Sequence, residues 1–150
     1  MTEDIRDIYD KIYRYSFYKI RNSAVAEDIT QETFLKYFEQ NKRLRRGEEM
    51  AYLYTIAKNL CVDYFRKKPI GEFREGDCPA EEFADVSDTK IAVREALGKL
   101  DGRQREILLL RYIGGLSVNE TAKAAGVSRF AVYRLEKGGL AEMRKYLGGG

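Results

Sequence analysis

The sequence predicts an all-α protein of two small helical domains joined by a flexible acidic linker. Three observations carry that expectation. Apolar residues recur at intervals of three and four along most of the chain, and strand-like alternation is too weak to support a sheet. Both prolines, Pro69 and Pro79, fall in one stretch with little apolar periodicity. Charge is also partitioned: residues 1–68 carry 14 Lys/Arg against 11 Asp/Glu, residues 69–90 carry 2 against 7, and residues 91–150 carry 11 against 6. Two basic blocks around an acidic connector suit two polyanion-binding modules on a tether, although two ordinary solvated surfaces would have the same pattern.

The first segment, about residues 4–21, places Ile5, Ile8, Tyr9, Ile12, Tyr13, Phe17 and Ile20 at helical spacing. Asn22-Ser23 breaks it, and Ser23 is the expected N-cap of a second helix over about 24–40. Ile29, Thr33, Phe34, Tyr37 and Phe38 form its expected buried side. A basic loop follows, holding Lys42, Arg43, Arg45 and Arg46 before Gly47. The third helix, about 49–67, has Met50, Leu53, Ala57, Leu60 and Tyr64 at a near-heptad interval. Pro69 ends it, because proline disfavours helix in the residue before it. The expected organisation is therefore a domain over 1–68, a linker over 69–87 and a domain over 88–150.

The second domain opens with a helix over about 88–100 through Ile91, Leu97 and Leu100, capped by Ser87 or Asp88. Ile107, Leu108, Leu109 and Leu110 mark the next helix, about 102–113, which Gly114-Gly115 closes. Ser117-Val118-Asn119-Glu120 fits a capping box, in which serine and glutamate each satisfy an open amide of the first turn. A helix-turn-helix needs a small residue at the helix crossing, a glycine in the turn and apolar locks on the second helix. Ala122, Gly126, and Val127, Val132 and Leu135 meet those needs, with Ser128 as the new N-cap. The second helix then presents Arg129, Phe130, Tyr133 and Arg134 near its amino end, the part that enters a major groove. Arginine suits bidentate contact with guanine, and aromatic or apolar atoms suit a thymine methyl. An ordinary helical hairpin with a charged surface is the plainer reading. Gly138-Gly139 weakens this helix by about 1 kcal/mol per glycine relative to alanine, predicting a kink or a frayed end.

Composition narrows the function classes. Histidine is absent, and Cys61 and Cys78 have no ligand-like spacing, so no catalytic residue, metal site or cofactor is nominated and no small-molecule substrate is expected. No apolar run approaches the roughly 18 residues of a membrane span. The start Met1-Thr2-Glu3-Asp4 is unlike a signal peptide, so the expected location is the cytosol.

These residues resemble a family. Leu100-Asp101-Gly102-Arg103-Gln104-Arg105-Glu106-Ile107-Leu108-Leu109-Leu110-Arg111-Tyr112 is similar to the helix opening the fourth conserved region of sigma-70-type transcription initiation factors. Residues 127–137 are similar to the helix that reads the −35 element. The family's reading positions fall on Arg129, Phe130, Tyr133 and Arg134, and Ser117, Ser128 and Lys137 complete the expected −35 contacts. The family often has a charged or polar residue where Phe130 and Tyr133 stand, so its −35 sequence preference does not transfer.

The amino-terminal half resembles the same family's second region. Ala26-Glu27-Asp28-Ile29-Thr30-Gln31-Glu32-Thr33-Phe34-Leu35 is similar to its polymerase-binding segment. Asp28, Gln31 and Glu32 share one helical stripe, with Leu35 next along it, and the resemblance implies docking on bacterial core RNA polymerase. Residues 51–68 resemble the −10-reading helix. Thr55, Lys58, Asn59, Val62 and Arg66 share a face there, lysine and arginine suiting phosphates, asparagine and threonine suiting bases. The basic loop of Lys42, Arg43, Arg45 and Arg46, with Tyr52, stands where the family captures an unstacked base; core packing is an equal reading for Tyr52.

Only the second and fourth regions have counterparts. That minimum resembles the extracytoplasmic-function subfamily, and implies promoter DNA as ligand and an anti-sigma factor as a further partner. The chain itself would stay in the cytoplasm, held at the membrane only through such a factor. A free-standing helix-turn-helix regulator and a protein-only helical adaptor are the rival readings.

Overall fold

The computed structural model describes residues 4–40, 48–67 and 88–148. The chain divides into two compact units, Met1–Glu82 and Phe83–Gly150. The expected basic loop around Lys42 to Arg46 and the expected linker over 69–87 lie outside the described residues. Among the described residues every regular element is helical, as expected, and no helix is long and apolar enough to cross a membrane.

The first unit is a three-helix bundle. α1 (Ile5–Ile20) starts from Asp4, whose carboxylate accepts from the Arg6 amide at 2.9 Å, and closes at Arg21, a left-handed residue (φ 61°) whose N–H reaches the Phe17 carbonyl. α2 (Ser23–Glu39) is capped by Asn22 rather than Ser23. Asn22 has extended backbone (φ −144°, ψ 115°) and its Oδ1 accepts from the Val25 amide at 3.1 Å, whereas Ser23 is already helical. α3 (Glu48–Lys67) carries Met50, Ala51, Leu53, Tyr54, Ala57 and Cys61 on its buried side.

Aromatic contacts join the three helices. Tyr15 and Tyr54 meet edge to face at 5.2 Å between α1 and α3, and Tyr9 stacks on Phe34 at 5.5 Å between α1 and α2. At the far end Ile20, Ile29 and Cys61 form a core patch under Val25, Leu60 and Tyr64. The buried face of α2 differs from the expected one. It runs through Ala26, Ile29, Thr30, Thr33 and Phe34, while Tyr37 is half-buried and Phe38 is 64% exposed. Ile5, in the first turn of α1, is also exposed, and Phe38 has ring contacts with Phe34 at 6.2 Å and Tyr37 at 5.3 Å without being covered by them. Thr30 and Thr33 sit in the core with their hydroxyls satisfied, each donating to the carbonyl four residues back.

The second unit comprises α4 (Asp88–Lys99), α5 (Gly102–Leu108), α6 (Val118–Ala125) and α7 (Arg129–Tyr146). In α4, Ala96 and Leu97 are buried and the expected core residue Ile91 is exposed. Arg105 ties α4 to α5 by donating to the carbonyls of Gly98 and Leu100, both at 3.2 Å. The single helix expected over 102–113 instead widens into a π turn, Leu109–Ile113, where the Gly114 amide reaches five residues back to Leu109 at 2.9 Å. The helix-turn-helix forms as expected. Ser117 and Glu120 make both bonds of the capping box, and Gly126 closes α6 in the left-handed region (φ 71°). Ser128 caps α7 by accepting from the Ala131 amide at 3.1 Å. Ile107, Ala122 and Val132 form the core under Val118, Ala125, Val127 and Leu135.

Gly138-Gly139 neither breaks α7 nor frays its end, which extends to Tyr146. α7 runs unbroken through both residues, and side chains of α5 pack against them. A Cβ on Gly139 would lie 3.1 Å from Leu108 Cδ1, and one on Gly138 would lie 3.0 Å from Gln104 Nε2.

Candidate nucleic-acid interface

α7 separates its two faces cleanly. Val132, Gly139 and Met143 are buried, and the turns between them leave Phe130, Tyr133, Arg134 and Lys137 on the outward side, with Arg129 at its edge. All five are exposed. Ser117 and Ser128 are exposed as well, but their hydroxyl oxygens already accept amide hydrogen bonds as caps. Each keeps its own O–H to donate, which is what a phosphate oxygen requires.

Arg111 and Glu136, which sequence reading did not single out, fix this helix. Arg111 extends from the π turn, and its Nε donates to Glu136 Oε1 at 2.7 Å while Nη1 donates to the Leu116 carbonyl at 2.7 Å. One guanidinium thus ties the π turn, the segment before α6 and the recognition helix. The pair is mostly shielded, with side chains 25% and 18% exposed, so it is screened less than a surface ion pair. It also turns an acidic residue of α7 inward, leaving the outward face of the helix's first half free of carboxylates. The partners are 25 residues apart, and no local pattern announces such a pair.

In the first unit, Asp28, Gln31, Glu32 and Leu35 are all exposed on α2, so the expected stripe exists. Its chemistry is set from below. The Tyr9 hydroxyl donates to Glu27 Oε1 at 2.5 Å, and Gln31 Nε2 donates to the same oxygen at 3.3 Å. Burial, followed by that bond to Glu27, raises the Tyr9 phenol above its ordinary value. Gln31 is thereby tied back to Glu27 and stands between the exposed carboxylates of Asp28 and Glu32. The stripe is a row of acceptors, suited to a partner rich in lysine and arginine.

Along α3, Asn59, Val62 and Arg66 are exposed on one side. Lys58 is half-buried at the edge of that side, and the half-buried Thr55 hydroxyl donates to the Ala51 carbonyl at 2.8 Å. Tyr52 is half-buried with its ring 6.1 Å from that of Tyr37, the packing role weighed for it above. Phe65, three residues beyond Val62, is an exposed aromatic that the sequence reading passed over; its spacing was the available signal. Lys42, Arg43, Arg45 and Arg46 lie outside the described residues.

Known proteins share both units. The profile of sigma-70 region 2 matches residues 5–69, and that of sigma-70 region 4 matches residues 96–145. The chain is 33% identical over 138 residues to the ECF RNA polymerase sigma factor BldN of Streptomyces coelicolor, covering 85% of this chain and 52% of BldN. It therefore spans about half the length of that relative. It is 33% identical over 144 residues to the ECF RNA polymerase sigma factor SigD of Mycobacterium tuberculosis, covering 88% of this chain and 68% of SigD. Among solved structures, the fold is similar to the sigma factor RpoE of Bartonella quintana, determined in complex with the anti-sigma factor NepR. That likeness has a TM-score of 0.72 at 21% identity and covers 95% of this chain and 93% of the other.

Proposed function

The chain belongs to the sigma-70 family, in its extracytoplasmic-function subfamily, and on that premise we propose that it binds bacterial core RNA polymerase and directs initiation at specific promoters. The observation that best supports this reading is the outward face of α7, cationic and aromatic and anchored from behind by the Arg111–Glu136 pair, on the same chain as the α2 acceptor stripe.

Each unit then has a part. Asp28, Gln31 and Glu32 accept from a basic helical surface of the polymerase, and Leu35 adds an apolar contact at the end of the stripe. Asn59, Val62 and Arg66 on α3, with Thr55, Lys58 and Tyr52, face the −10 element, and Lys42, Arg43, Arg45 and Arg46 hold the strand that separates there. Arg129, Phe130, Tyr133, Arg134 and Lys137 face the −35 element, with Ser117 and Ser128 on its phosphates. The domains are 1–68 and 88–150, and the acidic linker 69–87 follows a basic channel of the polymerase. The chain acts by binding, without chemistry of its own, in the cytoplasm. RpoE was solved with an anti-sigma factor, and a protein of that kind is the proposed regulator here.

The decisive experiment is initiation by bacterial core polymerase on a pooled promoter library, with and without the chain. Transcripts that need the chain and share sequence at two spaced upstream elements are expected. DNA binding by the chain alone, with no stimulation of the polymerase, would replace this reading with the free-standing regulator. Asp28→Lys with Glu32→Lys should abolish core binding, and unchanged affinity would refute the α2 interface.

A further inference from the structure

Phe130 is 82% exposed, although it stands two residues from the fully buried Val132 on a helix that cannot rotate to hide it. Tyr133, one turn further on, is 59% exposed on the same side. Both rings therefore meet water, an arrangement that carries a hydration cost until something covers them. Their surroundings narrow what that something is. Arg129, Arg134 and Lys137 are exposed around them, and Glu136, the one acidic residue between Arg129 and Lys137, is paired with Arg111.

The complement of this face is therefore a surface with small apolar groups set among dense negative charge. An apolar protein surface would leave the cations unmatched, and a purely electrostatic partner would leave the rings in water. The major groove of DNA offers both, since phosphates line its edges and the C5 methyl of thymine projects from its floor. We infer that Phe130 and Tyr133 read the C5 methyl groups of pyrimidines at neighbouring steps of the −35 element. Residues three apart on a helix are displaced by about 4.5 Å along its axis, near the roughly 3.4 Å rise between base pairs. The rings therefore meet adjacent steps, while Arg134 and Lys137 engage the flanking phosphates or guanine. The inference rests on the −35 reading proposed above and adds the chemical group that the helix selects.

Uracil tests it, because it keeps every hydrogen-bonding edge of thymine and lacks only the methyl group. A promoter from the pooled selection is synthesised with deoxyuridine at each −35 thymine in turn, on either strand, and the −10 element is left unaltered. Binding by the full chain with core polymerase is then measured. Affinity is expected to fall about fourfold for each methyl read, the worth of one methylene removed from water. Phe130→Ala and Tyr133→Ala, both at exposed positions, should bind thymine DNA more weakly and lose the response to uracil at the step each ring covers. Wild-type affinity unchanged by uracil at every −35 position would overturn the inference while leaving the −35 reading intact. Variants that stay as uracil-sensitive as wild type would also overturn it. No dependence on any −35 sequence would remove the underlying reading and this inference together.

Discussion

Gly138 and Gly139 are neighbours with the same intrinsic helix penalty, yet alanine at the two positions is expected to act in opposite directions. Neither has a positive φ, so alanine fits the backbone at both. At Gly138 the added Cβ meets Gln104 Nε2 at 3.0 Å, the far end of a flexible, half-buried side chain that can swing aside. The helix then keeps most of the propensity gain of about 1 kcal/mol. At Gly139 the Cβ lies 3.1 Å from Leu108 Cδ1, 3.4 Å from Leu108 Cγ and 3.5 Å from Gln104 Cβ. Leu108 is buried, so its side chain has little room to give. Overpacking of that kind costs about 1–3 kcal/mol, which equals or exceeds the same gain. Gly138→Ala should therefore stabilise the second unit by up to about 1 kcal/mol, and Gly139→Ala should destabilise it by roughly 0–2 kcal/mol. Urea unfolding of the full chain by far-UV circular dichroism measures the change. Amide exchange along α5 and α7 assigns it to this unit. Gly139→Ala clearly more stable than wild type, or Gly138→Ala less stable, would show that the close approach of α5 to α7 is wrong.

Three further outcomes follow from the same geometry. Arg111→Met leaves Glu136 and the Leu116 carbonyl without their donor, and should cost about 1–3 kcal/mol in the same unfolding assay; no loss would mean the pair is idle. Ser128→Ala removes the N-cap of α7 and should cost about 1 kcal/mol, with Ser128→Asn recovering most of it and thermal melting as the readout. Tyr9 has its phenol raised, chiefly by burial, so its folded-state contribution is complete below the ordinary phenol range near pH 10 and is lost as pH rises through the higher folded value. The alkaline fall in stability should therefore be shallower in Tyr9→Phe, and identical slopes would remove Tyr9 as the cause.

The parts legible in the sequence were those that depend on neighbours in the chain. The capping box at Ser117 and Glu120, the turn at Gly126, the cap at Ser128 and the locks Val127, Val132 and Leu135 are set by local hydrogen bonding and helical spacing, and the structure places them as read. Periodicity failed at the ends of elements. Phe38 and Ile5 continue apolar stripes past the point where the bundle can cover them, and Ile91 does the same at the start of α4. Spacing reports which face a residue occupies, but not whether a neighbouring helix extends far enough to cover it.

The recognition helix shows the remaining difficulty. From the sequence, Gly138-Gly139 is a helix-weakening pair, because propensity prices a glycine by what it lacks in isolation. In the fold the same lack lets Leu108 and Gln104 of α5 press against the backbone of α7. Arg111 and Glu136 likewise read as two more charges in a charged chain until the π turn brings them within 2.7 Å. Both devices hold the half of α7 that faces inward, and so both determine the direction in which Phe130, Tyr133 and Arg134 point. A variant that loosened either support would leave every outward residue in place and still misdirect the face they form. The first effect expected of such a variant is lost discrimination between −35 sequences, with phosphate-driven affinity falling less, because base contacts depend on orientation more steeply than charge does.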